Sequence, residues 1–230
     1  MQTLLFKKTL LALLLFISPS LFSERIIIGI AGGTASGKTT FAQKIQDMFQ
    51  KDVVLITQDS YYKHFPDLTL EEKMQLNWDC PDSIDFDLLE EHLLSLKKGD
   101  SIEQPVRNFC TFSRESFTKT IDSTPIIVVD GILLFAVPEI RKLCDIKIYI
   151  EASDDIRLLR RLNRDITYRG RNLEDLSKEY IQVVKPMHDL FVEPSKIYAD
   201  IIIPQGGETP TSFALVKYAV THALNQKIIR

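Results

Sequence analysis

From Arg25 onward, short apolar runs alternate with stretches whose apolar residues recur at helical spacing. Ile26–Ala31 reads as a buried strand ahead of a glycine cluster, and Lys38–Phe49 as an amphipathic helix. Val53–Thr57 is a second strand leading into polar Gln58–Ser60. Helices follow at Leu70–Gln75 and Phe86–Lys97, the latter starting near Asp85 and stopping at Gly99. Ser101–Ile121 breaks the alternation, and its Ser/Thr-rich half predicts a hairpin. Ile126–Val129, Ile146–Ile150 and Ile201–Ile203 complete five buried strands. Between them, Ser153 caps a long helix ending before Gly170, Leu173–Phe191 predicts a helix kinked at Pro186, and Thr211–Asn225 closes the chain. Strands with near-continuous apolar character, separated by helices, predict an α/β fold: a parallel five-stranded sheet with helices on both faces and a small β insertion at about 101–121.

The first 23 residues stand apart. Lys7 and Lys8 precede fifteen uncharged residues, Thr9 to Ser23, with small residues Ser18 and Ser20 near the end. That is the layout of an export signal or weak anchor. The alternative is a non-native extension ahead of a cytoplasmic protein, and membrane contact is expected only if this segment is retained. Residues 24–230 form the folded domain.

The chain has 230 residues, 45% hydrophobic and 26% charged, with a formal net charge of −3. No global positive field recruits nucleic acid, so no nucleic-acid partner is expected. Three separated cysteines make neither a disulfide framework nor a zinc site, which fits a reducing compartment.

The chemistry concentrates on the first strand-to-helix turn. Gly32-Gly33-Thr34-Ala35-Ser36-Gly37-Lys38-Thr39 satisfies G-x-x-x-x-G-K-[ST]. Glycines let the loop wrap phosphates with its backbone N–H groups, and the helix N-terminus adds partial positive charge. Lys38 reaches the β- and γ-phosphates of a nucleoside triphosphate, and the Thr39 hydroxyl faces Mg²⁺. In open α/β sheets, residues just past the carboxyl ends of the strands face the ligand. Asp59 follows the second strand and Asp130 the third. One can accept the proton of an attacking hydroxyl while the other orients the metal, so Thr39, Asp59 and Asp130 form the metal set.

Local positive charge is the third signal. Arg157, Arg160, Arg161 and Arg164 share one helix face, with Arg169 and Arg171 around Gly170. Such a cluster at about 153–171 suits a lid that stabilises charge on a transferring phosphoryl group. A solvated face balanced by Asp154, Asp155 and Asp165 accounts for part of it.

These runs, with Gln58-Asp59-Ser60-Tyr61-Tyr62, Asp130-Gly131-Ile132-Leu133, Arg160-Arg161-Leu162-Asn163-Arg164-Asp165 and the closing Tyr198–Pro204 and Gly206-Gly207, resemble the uridine–cytidine kinase family. The resemblance runs from about Arg25 to Gly207. It implies a P-loop kinase transferring the γ-phosphoryl group of ATP (or GTP) to the 5′-hydroxyl of a pyrimidine nucleoside, with Mg²⁺. Asp59 matches the general base, and Lys38, Arg164 and Arg169 complete the catalytic set. Thr40 and Glu208 join residues 32–39 on the nucleotide. Tyr62, Trp78, Asp79, Arg107, Phe109, Phe112, Arg161, Arg171 and Glu179 match the nucleoside side, Asp79 facing the ribose hydroxyls. The family also implies a homo-oligomer, a tetramer.

The sequence departs from the family in four places. Arg107 and Phe112 stand where a tyrosine and a histidine or tyrosine would meet the base. Phe112 cannot hydrogen-bond and Arg107 can only donate, which suits the O4 of uracil rather than the amino group of cytosine. Glu179 replaces a glutamine, and Asp130 replaces a glutamate, shortening its reach by one methylene. Two alternatives stay open: a P-loop kinase of another small alcohol, phosphoribulokinase-like, or a non-catalytic nucleotide-binding regulator.

Overall fold

The computed structural model describes residues 25–207 and 210–229; the signal-like segment and Glu208 lie outside the described residues. The sheet is built from β1 (Ile26–Ala31), β2 (Val53–Thr57), β5 (Ile126–Gly131), β6 (Ile146–Ile150) and β7 (Ile201–Ile203). Its order is β2-β5-β1-β6-β7, with every pairing parallel. Strands β3 (Ile102–Asn108) and β4 (Ser113–Ile121) form a separate antiparallel hairpin, the predicted insertion.

Alternation along the strands divides the core into two layers. Ile28, Ile30, Val128, Ile148 and Ile150 pack with Phe41, Ala42 and Ile45 of α1 (Lys38–Phe49) and Val216 and Val220 of α7 (Pro210–Ile229). On the other face, Ile27, Ala31, Ile127, Val129 and Tyr149 meet Leu89, Leu93 and Leu96 of α3 (Phe86–Lys98) and Ile140 of α4 (Pro138–Leu143). Each fully buried leucine of α3 contributes about 2 kcal/mol, enough to hold a helix whose exposed face is charged. A short α2 (Leu70–Met74) opens with a Thr69–Glu72 capping box.

Helix α5 (Asp154–Arg169) begins at Ser153 and ends at Gly170 in the left-handed conformation. The Ser153 hydroxyl bonds Asp155 rather than a helix N–H. Beyond α6 (Leu173–Glu179) the helical path continues past the predicted end at Phe191. Two π turns, Tyr180–Val184 and His188–Val192, are each followed by a short α turn, and these contain Pro186 and Pro194. A proline lacks an N–H and crowds the carbonyl four residues back. The wider turn ahead of each ring takes up that disturbance.

The register brings the chemistry together. Asp130 is paired with Thr57 on one side and Ile30 on the other. Its carboxylate therefore lies beside the glycine loop, at the carboxyl edge of β2, β5 and β1.

Candidate active site

The loop between β1 and α1 is shaped by close approaches. A Cβ on Gly33 would sit 2.5 Å from the Arg157 guanidinium, and one on Gly37 (φ +99°) 2.5 Å from the carbonyl oxygen of Gly206. Ala35 adopts φ 57°, and the Ser36 N–H closes the turn on the Gly33 carbonyl at 3.1 Å. Ser36 is fully buried and its hydroxyl has no hydrogen-bond partner.

Asp130, 1% exposed, accepts a 2.6 Å hydrogen bond from the Thr39 hydroxyl on Oδ2, while Oδ1 is buried without a partner. Burial raises its carboxyl above the ordinary aspartate value, opposed by the charge of Lys38. A hydroxyl and a buried, half-satisfied carboxylate are hard oxygen donors of the kind magnesium takes. Among the described residues no three His, Cys, Asp or Glu side chains form a metal-binding group. Phosphate oxygens and water would therefore complete the shell, as magnesium sites commonly require.

Two cavities open from this loop. The larger, about 860 Å³, is lined by Ala35, Gly37, Lys38, Thr39, Thr40, Asp130, Arg160 and Gly206, among others. The smaller, about 80 Å³, lies between Thr34, Tyr62, Trp78, Asp79, Phe112, Arg161, Arg171 and Glu179. Lys38, Asp59, Arg107, Phe109, Arg164 and Arg169 line both. Tyr62, Trp78, Asp79, Arg107, Phe109, Phe112, Arg161, Arg171 and Glu179 thus line the smaller cavity, while Ala35, Gly37, Lys38, Thr39 and Thr40 line the larger, Thr34 lines the smaller and Ser36 lines neither. Gly32, buried in the loop, lines neither cavity, and Gly33 faces a third cleft behind the loop.

The arginines are held by carboxylates. Buried Asp165 accepts from Arg164 at 2.7 Å and meets Arg169 at 3.2 Å and Arg161 at 3.6 Å. Glu179 takes Arg161 at 2.8 Å on one oxygen and Arg171 at 2.7 Å on the other. Its charge is therefore matched by two guanidinium groups. Arg161 also donates to the Thr34 hydroxyl at 3.0 Å and lies 4.0 Å from Asp79. Burial alone would lower the Arg161 pKa, but Asp79, Glu179 and Asp165 together raise it. Burial lifts the Asp79 carboxyl, with Arg161 opposing. Arg157 lies away from both cavities, pinned to Asp154 and to the backbone of Ala152, so it belongs to the framework.

Sequence reasoning missed the ties that place the hairpin. Arg114 on β4 donates to the Tyr62 carbonyl at 3.0 Å, the Tyr61 carbonyl at 3.4 Å and Asp85 at 3.0 Å. Buried Gln104 on β3 donates to Ser60 at 2.7 Å. Gln58 Oε1 accepts from the Leu133 N–H at 3.0 Å, fixing the segment that carries Asp59 against the one after β5. Helix α5 and the hairpin also touch, with the Arg169 guanidinium 4.3 Å from the Phe109 ring centre.

Known proteins match most of this chain over most of their own length. The chain is 43% identical over 202 residues to a uridine kinase of Clostridium novyi, covering 87% of this chain and 97% of that protein. It is 44% identical over 205 residues to a uridine kinase of Halalkalibacterium halodurans, covering 89% and 97%. It is 45% identical over 192 residues to one of Clostridium tetani, covering 83% and 92%. The fold matches phosphoribulokinase from Rhodobacter sphaeroides with a TM-score of 0.61 at 14% identity, covering 79% of this chain and 70% of that one. It matches D-glycerate 3-kinase from Cryptococcus neoformans with a TM-score of 0.50 at 14% identity, covering 73% and 79%. A family model described as phosphoribulokinase / uridine kinase spans residues 27–212, the stretch that holds the glycine loop, both cavities and α5. With that span and those identities, this chain belongs to the phosphoribulokinase / uridine kinase family.

Proposed function

We propose that this protein is an ATP-dependent uridine kinase, passing the γ-phosphoryl group of ATP (or GTP) to the 5′-hydroxyl of the nucleoside. The observation that carries this reading is the pair of cavities meeting at Lys38, Asp59, Arg164 and Arg169. A triphosphate laid along the glycine loop ends where a small alcohol enters from the aromatic pocket. The uridine kinases at 43–45% identity support uridine as the acceptor.

In this mechanism the loop amides and Lys38 bind the phosphates, and Asp59 takes the proton of the acceptor hydroxyl. Thr39, Asp130 and Asp59 would hold magnesium, which neutralises phosphate charge when bound. Asp79 accepts from the ribose hydroxyls, kept in place by Arg161. Arg164 and Arg169 transfer from Asp165 to the phosphoryl oxygens as the lid closes, trading one anion for another. Trp78 and Tyr62, at 5.5 Å between ring centres, wall the base pocket together with Phe112, which stacks on Trp78 at 6.0 Å. A cytoplasmic homo-oligomer suits this reading, since Tyr168, Ile181 and Ile197 expose apolar surface that a second copy could cover.

The test is a coupled Mg–ATP assay on residues 24–230 with uridine, cytidine, a purine nucleoside and ribulose 5-phosphate as acceptors. Uridine turnover that falls about 10²- to 10⁴-fold in Asp59→Asn is expected. Turnover of ribulose 5-phosphate alone, or of no acceptor while ATP binds, overturns the reading.

A further inference from the structure

The aromatic pocket contains a cation of the chain's own. Arg107 projects from β3, and its guanidinium carbon lies 4.1 Å from the Tyr62 ring centre and 4.2 Å from that of Trp78. Phe109 and Phe112 complete the enclosure, each at 6.0 Å. The Tyr62 and Trp78 rings stand at 85° to each other, so the cation sits in an aromatic corner, and Phe112, within 25° of parallel to Trp78, lines the same pocket. With Arg107 in it, the pocket keeps about 80 Å³, against the roughly 300–1,000 Å³ usual for a small-molecule site. An entering base therefore meets this side chain directly.

The arginine is also unsatisfied. Its Nε and Nη1 are buried with no hydrogen-bond partner, whereas Arg161, Arg164 and Arg171 in the same pocket each have a carboxylate. The Arg107 donors are thus open to a ligand. Buried donors left unpaired are costly, so a ligand presenting acceptors gains and one presenting donors loses. In the nucleoside-kinase reading, Asp79, 4.0 Å from Arg161, is the acceptor for the sugar hydroxyls. Arg107 enters from the hairpin, an element that contributes none of the phosphate-loop, Asp59 or Asp79 groups. With the sugar at Asp79, as the nucleoside-kinase reading places it, the edge left for Arg107 is the one far from the sugar. On that edge a uracil carries a carbonyl oxygen and a cytosine an amino group.

We propose that Arg107 is a specificity-determining residue, its orphaned donors bonding the sugar-distal carbonyl of a 4-oxo pyrimidine and rejecting a 4-amino one. This inference rests on the nucleoside-kinase reading and adds the residue that selects the base. Because Arg107 offers no acceptor in any rotamer, it cannot itself bond the amino group of cytosine. Phe112, the ring on the same rim, supplies no alternative acceptor either.

The experiment measures kcat/KM for uridine and cytidine in the wild type, Arg107→Gln and Arg107→Tyr. Glutamine and tyrosine both donate and accept, so either can serve both bases. The wild type is expected to favour uridine by at least roughly tenfold. In both variants that ratio is expected to fall by about tenfold, with cytidine kcat/KM rising even where uridine kcat/KM drops. A rise for cytidine is a readout that simple loss of packing does not produce. Equal use of both nucleosides by the wild type overturns the inference and leaves the kinase reading standing, as does an unchanged ratio in both variants. No turnover of either nucleoside by the wild type overturns both.

Discussion

Thr39 and Asp130, 91 residues apart in the chain, share a 2.6 Å hydrogen bond at the edge of the central sheet. The bond aims the hydroxyl and leaves one carboxylate oxygen bare, so the pair is a ready half-shell for a hard cation. Asp130→Asn is expected to lower kcat by about 10²- to 10³-fold. Its apparent Mg²⁺ requirement should rise in a titration at fixed ATP, while thermal stability stays near that of the wild type. Near-normal turnover would remove Asp130 from the metal site.

Arg114 ties the hairpin to the carbonyls of Tyr61 and Tyr62 and to Asp85. Replacing it with alanine should loosen the pocket wall without touching the phosphate loop. The expected result is a several-fold rise in KM for the nucleoside, with KM for ATP unchanged. A proportional loss in both would show that the hairpin shapes the whole cleft.

Asp165 collects three arginines of α5. Burial alone would raise its carboxyl, but hydrogen bonding and charge from Arg164, with Arg169 and Arg161 behind, hold it below the ordinary value. Because the folded state then binds its proton more weakly than the unfolded chain, its contribution is present above about pH 4 and lost as pH falls through the lower folded value. Asp165→Asn should lower the melting temperature at pH 7 and flatten its dependence on pH below about 4. Asp165→Ala should cost roughly 2–4 kcal/mol in a denaturant titration at pH 7.

Gly37 tolerates no side chain, since its φ is +99° and a Cβ would meet the Gly206 carbonyl at 2.5 Å. Gly37→Ala is expected to cost about 1–3 kcal/mol in stability. Calorimetric titration should show weakened ATP binding, with nucleoside affinity less affected.

The five sheet strands and α1 are legible in the sequence because their apolar runs are long, and glycines, prolines or aspartates bound them. Helix α4 is not, since its six residues bury one side chain, Ile140, and leave no periodic trace. The π turns before Pro186 and Pro194 are equally hidden, because a proline signals a disturbed helix without saying how the turn will widen. At the site, residue types announce Lys38, Thr39, Asp59 and Asp130, whose chemistry is local to strand ends. The enclosure of Arg107 by Tyr62 and Trp78 depends on three segments meeting in space, and so does the Gln104–Ser60 bond. Donor-only chemistry can be read from the word arginine; what surrounds it cannot.

The backbone contact between Gly37 and Gly206 also bears on biosynthesis. The phosphate loop leaves the ribosome early, but the strand end that props it is made near the close of translation. A nascent chain stalled before β7 holds every residue of the nucleotide motif and lacks the wall against which the loop takes its shape.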